Sequence, residues 1–147
     1  MPHRPDLAGL PAWGFAFPGP LRDELTALAL AGTKTTTAGL LAEMEAEGEA
    51  LSVPGAREVL LDSEEQAVAV IETVDCRVAR LADVDDRHAI DEGEGYANAH
   101  EFRVAHERFW NGYLDDLRTT LCDPTFVLDD DTLVVLQRFR VVEHLAG

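Results

Sequence analysis

The chain has 147 residues, the size of one domain able to bury a core of its own. Its 46% hydrophobic and 27% charged residues describe a soluble globular protein and exclude a disordered one, and no apolar run approaches the ~20 residues that span a bilayer. Twelve basic residues against 28 acidic ones give a net charge of −16, which repels polyanions at long range and excludes an extended track for duplex nucleic acid.

Taken in order, residues 1–19 hold four prolines and three glycines, with Trp13, Phe15 and Phe17 alternating. The pattern predicts an extended arm that lays aromatics on the body of a domain spanning residues 20–147. Met1-Pro2-His3-Arg4-Pro5-Asp6 lacks the apolar centre of a secretory signal. Cys76 and Cys122 have no metal-binding spacing. They read as buried thiols of a cytoplasmic protein.

Residues Pro20 to Ala31 predict a helix with Leu21, Leu25, Leu28 and Ala29 on one face. Pro20 suits its first turn, as do Asp23 and Glu24. Gly32 stands where that helix would end in a left-handed turn. Next to it comes Thr33-Lys34-Thr35-Thr36-Thr37, with the only lysine of the chain set among four threonines. A cation and several hydroxyls fixed just past a helix end can hold an anion or a polarised carbonyl. The same residues also read as a polar turn leading into an ordinary strand.

Leu40 to Glu49 is acidic and predicts a short helix with a solvated face. After the turn signal Val53-Pro54-Gly55 come two strands, Arg57 to Leu61 and Gln66 to Val74, joined by a turn at Asp62 to Glu65. Val78 to Val84 predicts a third extended piece. Residues 85–95 end in Glu92-Gly93-Glu94-Gly95, where glycines permit close backbone approach beside two carboxylates. That stretch is either a loop aiming carboxylates at a ligand or a hydrated acidic turn. Asn98 to Thr119 predicts one long helix, capped by Asn98 with Glu101, its stripe built on Phe102, Ala105, Phe109, Gly112 and Tyr113 and widened by Trp110, Leu114 and Leu117. His100 and His106 on it lack a metal-ligand spacing partner. Asp129-Asp130-Asp131 reads as a solvated turn, since three consecutive residues converge poorly on one ion. Thr132 to Val142 is the clearest strand, with Arg138 and Arg140 on one side of it.

Five pieces, Gly32 to Leu40, Ala69 to Thr73, Glu92 to Gly95, His106 before Phe109-Trp110, and Arg138 to Val142, occur in an order that resembles the bacterial ASCH-domain proteins of about 150 residues. The resemblance covers roughly residues 13 to 143. It implies a single α+β domain, a PUA-like mixed β-barrel flanked by helices, in which Gly32, Lys34 and Thr37 share a cleft with Glu92 and Glu94. Tyr96, Phe102 and Gln137 depart from the Asp, Trp and Glu common at those places in relatives.

The resemblance also implies a small-substrate hydrolase. Some relatives cleave the amide of N4-acylated cytidines with a lysine, a threonine and a glutamate. Carried over, Thr37 attacks the acyl carbonyl, Lys34 activates that hydroxyl or holds the oxyanion, and Glu92 or Glu94 moves the proton, with Gly32, Thr35, Tyr96, Trp110, Arg138 and Arg140 around the substrate. No cofactor is expected. A second reading is a single-stranded RNA module in which Lys34, Arg138 and Arg140 meet phosphates and Trp110 or Tyr96 stacks a base, requiring a divalent metal only if it cuts RNA. The charge of −16 opposes it. A third is an interaction module without turnover, favoured if the arm fills the cleft.

Overall fold

The computed structural model describes Leu7 and residues 9–145, so the first six residues of the arm and Ala8 lie outside the described residues. The described residues form five strands, β1 (Ala12–Trp13), β2 (Thr36–Leu40), β3 (Arg57–Leu61), β4 (Ala67–Arg80) and β5 (Leu133–His144), and five helices, α1 (Pro20–Leu30), α2 (Leu41–Ala46), α3 (Asp86–Asp91), α4 (Ala99–Asn111) and α5 (Leu114–Leu121), in the order β1-α1-β2-α2-β3-β4-α3-α4-α5-β5. The strands form one mixed sheet in the order β1-β3-β4-β5-β2. Only β1 and β3 run parallel; every other pairing is antiparallel. The α+β class is as the resemblance implies. The sheet itself is open, because the edge strands β1 and β2, two and five residues long, have no ladder between them.

Two hydrophobic clusters flank the sheet. One gathers Leu40, Ala89, Phe102, Trp110, Leu117, Val134 and Leu136, from β2, β5 and the helices α3 to α5. The other joins Phe15, Leu25 and Ala29 to Leu60, Ala69, Ile71 and Phe139. The arm therefore enters the body of the protein: Ala12 and Trp13 pair with Val59 and Leu60, and Phe15 is buried. Phe17 breaks the alternation. It is half-exposed and stands edge-on to Tyr113.

Four local expectations change. The predicted strand Gln66 to Val74 and the start of the predicted piece Val78 to Val84 are one 14-residue strand, β4, whose irregular register at Thr73/Asp75 absorbs the polar residues that looked like a break, and the rest of the second piece, Leu81–Asp83, is a 3-10 turn instead of strand. Residues 85–95 contain α3, because the Asp85 side chain accepts from the His88 backbone N–H at 2.8 Å and caps a helix. The single long helix is two: α4 ends at Asn111, and Tyr113 takes a non-helical φ of −131°. The break lets Tyr113 reach Glu43 on α2 while both Trp110 and Leu117 stay buried. Neither cysteine is buried, since Cys122 is the exposed left-handed cap of α5 (φ 52°) and Cys76 is partly exposed on β4. Among the described residues, no helix is long and apolar enough to cross a membrane.

Candidate functional site

The lysine loop and the acidic loop meet. After α1, Gly32 adopts φ +80°, and the amides of Thr33 and Lys34 both donate to Leu28 O, which turns the chain back and carries Lys34 inward. The acidic loop is laid directly against it. Thr35 N donates to Asp91 O at 2.9 Å, and Gly93 (φ +72°) packs so closely that a Cβ there would lie 2.4 Å from Thr33 O and 2.7 Å from Lys34 Cα. This contact is what the first glycine of Glu-Gly-Glu-Gly is for.

Lys34 is 2% exposed. Its Nζ donates to Thr36 O at 2.8 Å, Glu94 Oε2 at 2.9 Å and Glu92 Oε1 at 3.0 Å, with Glu92 O further off at 3.3 Å. An ammonium has three hydrogens, so every donor is engaged. Phe15 covers the charge with its ring centroid 5.3 Å from Nζ.

The two glutamates have different environments. Glu92 is 1% exposed and also accepts from His88 Nε2 at 2.7 Å, a histidine placed one helical turn earlier by α3. Burial alone raises its pKa, but the Lys34 ammonium, the His88 hydrogen bond and the nearby His106 outweigh that and hold it at about 2. Glu92 is a permanent counterion. Glu94 is partly open to solvent and accepts from Tyr96 OH at 3.3 Å. Its pKa is raised, first by burial and then by the neighbouring Glu92 charge, against the pull of Lys34. Burial, reinforced by the Glu94 and Glu92 charges, likewise raises the Tyr96 phenol.

His106 completes the polar wall. Its Nδ1–H donates to Phe102 O at 2.9 Å, which leaves Nε2 turned toward Glu92, 3.9 Å from Oε1. Burial lowers its pKa, more than the Glu92 charge restores. Burial thus favours the neutral ring, the form in which Nε2 carries an acceptor lone pair.

These groups line a cavity of about 350 Å³ between the two hydrophobic clusters, with Phe15, Ala16, Leu21 and Leu25 on one side and Ala105, Phe109 and Trp110 on the other. A volume of that size falls at the small end of the ~300–1,000 Å³ typical of ligand sites. Of the described arm residues, Phe15 and Ala16 supply part of the cavity wall.

Of the residues singled out from sequence, Lys34, Thr37, Glu92, Glu94, Tyr96 and Trp110 line the cavity. Trp110 is 2% exposed, so its ring is core and not a stacking platform. Gly32, Thr35, Arg138 and Arg140 lie elsewhere. Gly32 shapes the turn and Thr35 Oγ1 is spent on Asp91 O at 3.3 Å. Arg138 pairs with Asp91 and Arg140 with Glu72, each at 2.9 Å. They are structural partners of α3 and β4. The three consecutive aspartates diverge as expected, with Asp131 on Arg80 and Asp130 on Arg103.

Four cavity or support residues carried no clear signal. His88 and Glu92 at i,i+4 could have been paired once a helix was read at 86–91. His106 and Arg108 face the cavity from α4, a placement that depends on how the helix is rotated. Arg22 lies on the α1 stripe, buried at 7% exposure, and donates to Phe15 O at 2.9 Å and Ala16 O at 3.0 Å. A guanidinium thus fixes the turn that holds Phe15 over Lys34. Gly14 leaves room for it, since a Cβ there would meet the guanidinium carbon at 2.6 Å.

A family model described as ASCH domain matches residues 12–143. Two solved structures superpose closely. One, protein EF3133 from Enterococcus faecalis V583, is 25% identical with a TM-score of 0.78, over 95% of this chain and 80% of that one. The other, an ASCH domain from Lactobacillus crispatus JV V101, is 23% identical with a TM-score of 0.76, over 92% and 80%. No curated protein matches the chain.

Proposed function

The chain belongs to the ASCH-domain family, and from that premise we propose that it is a hydrolase of a small modified nucleoside, cleaving the amide of an N4-acylated cytidine. The observation that carries this reading is the buried lysine clamped between two unlike glutamates at the wall of a ligand-sized cavity.

The roles divide by environment. Thr37 is partly exposed on β2 and faces the cavity, whereas its neighbours Thr35 and Thr36 spend their hydroxyls on backbone carbonyls of the α3 segment. Thr37 Oγ1 adds to the acyl carbonyl carbon and its proton passes to the Glu94 carboxylate. Glu94 then protonates the departing N4 amine as the C–N bond breaks, leaving an acyl ester on Thr37. Water gives a proton to Glu94 as it adds to the ester carbonyl, and Glu94 passes that proton to Thr37 Oγ1 as the C–O bond breaks, which releases the acid and restores threonine and carboxylate. A raised pKa suits a group that must both take and give a proton near neutrality.

Glu92 cannot share that task, because at about 2 its carboxylate stays ionised. It holds the Lys34 ammonium in place through their ion pair at 3.0 Å. Lys34 stabilises the oxyanion by exchanging its Glu94 contact for the substrate oxygen, an exchange that protonation of Glu94 makes favourable. The Nε2 lone pair of His106 is an acceptor for the substrate's amide or amine N–H.

The test is direct. The protein is incubated with N4-acetylcytidine and cytidine is followed by chromatography, with Glu94→Gln and Thr37→Val in parallel. Each variant is expected to fall by about 10²–10⁴-fold. Absence of cytidine above background from the wild type ends this reading, and an undiminished Thr37→Val variant ends the threonine nucleophile. The RNA-module reading loses support from the pairing of Arg138 with Asp91 and Arg140 with Glu72, which offsets the two cations that it places beside Lys34.

A further inference from the structure

Arg108 is an exposed residue in the last turn of α4, and it lines the mouth of the cavity. Among the described residues it stands in no ion pair. Every other described arginine does, from Arg22 with Glu65 to Arg140 with Glu72. In a chain with 28 acidic and 12 basic residues, a guanidinium has carboxylates on offer almost everywhere. The one left over is at the cavity. Its place near a helix C-terminus suits the dipole, but that preference is satisfied at any point around the helix and does not select the face shared with Ala105 and Phe109.

We propose that Arg108 binds the phosphate of the substrate, so that the natural ligand is an acylated nucleoside 5′-monophosphate and not the neutral nucleoside. The inference rests on the hydrolase reading for the identity of the base, but not for the phosphate. Charge fixes which way round the ligand lies. At the inner wall all three donors of Lys34 are already taken, two of them by carboxylates, so an incoming anion there would meet negative charge and no free donor. The uncharged acyl amide goes inward and the phosphate outward. Arg108 then offers a planar two-donor fork to phosphate oxygens in a region otherwise hostile to anions, which admits one phosphate and disfavours a chain of them.

The proposal is tested by calorimetric titration of the full chain with cytidine, CMP, N4-acetylcytidine and its 5′-monophosphate at low and high salt. The phosphorylated member of each pair is expected to bind about tenfold tighter at low salt, with the gap narrowing as salt rises. Arg108→Gln abolishes the gap, Arg108→Lys retains part of it, and the remote Arg118→Gln retains all of it. Equal binding within each pair, a gap that survives Arg108→Gln, or no binding of any of the four overturns the phosphate site. A phosphate preference that depends on Arg108, in a protein that releases no cytidine or CMP from the acylated forms, leaves the site standing and removes the hydrolase reading alone.

Discussion

Lys34 and Glu92, 58 positions apart, form an ion pair at 3.0 Å in which each side chain is 1% exposed. Burying two charges is costly, and the attraction between them recovers that cost only when the remaining donors and acceptors are also satisfied. Here they are, by Thr36 O and Glu94 on the lysine and by His88 on the glutamate.

Breaking one side of this pair leaves an uncompensated buried charge. Glu92→Gln and Lys34→Met are each expected to destabilise the fold by ~3–5 kcal/mol. The double variant should lose less than the sum, because neither charge remains. Urea unfolding of the three variants measures the coupling, and strict additivity would show that the two charges do not interact.

Acid should act on the same carboxylate. The Glu92 pKa falls from an ordinary 4.5 when unfolded to about 2 when folded. Its contribution to stability is therefore complete above 4.5 and is lost as pH drops toward 2. The midpoint of urea unfolding should decline over that window, and the Glu92→Gln variant should show a visibly shallower decline.

Activity should report the other glutamate. The Glu94 pKa lies above 4.5, and the carboxylate must be free to accept the Thr37 proton. The acid limb of kcat/KM is then expected above pH 4.5, and to disappear in the residual rate of Glu94→Gln. Tyr96→Phe, which removes the phenol hydrogen bond at 3.3 Å, should raise the limb further.

Gly93→Ala should be severe and Gly95→Ala mild. Both glycines have positive φ, +72° and +93°, so both substitutions incur backbone strain of order 1 kcal/mol. Only at Gly93 does a Cβ also strike backbone, at Thr33 and Lys34, while Gly95 faces open space. Thermal unfolding of the two variants separates conformational strain from collision, and equal losses would mean that the two loops are not in contact.

Arg22→Ala should release the turn that holds Phe15, lowering stability by ~1–3 kcal/mol through the carbonyls of Phe15 and Ala16 left without donors. Lysine should rescue little, because one ammonium cannot reproduce a fork spread over both carbonyls. Urea midpoints for the alanine and lysine variants provide the measurement.

What the sequence determined is local. The helix from Pro20 and its left-handed stop at Gly32, the Asn98 cap, the acidic hairpin turn and the apolar run of β5 all follow from propensities and periodicity within one element. The order of short segments carried the family and, with it, the meeting of Lys34 with the acidic loop. Tertiary structure alone decided which glutamate is which. Glu92 and Glu94 are chemically identical and two residues apart, and they differ because α3 turns one toward His88 and buries it, while the other stays partly open to solvent. Likewise, the apolar stripe from Phe102 to Leu117 cannot say that the helix will break at Tyr113, nor that Arg108 will be the guanidinium left at the opening. A pKa and an unpaired charge are properties of what surrounds a side chain, and those surroundings come from distant parts of the chain.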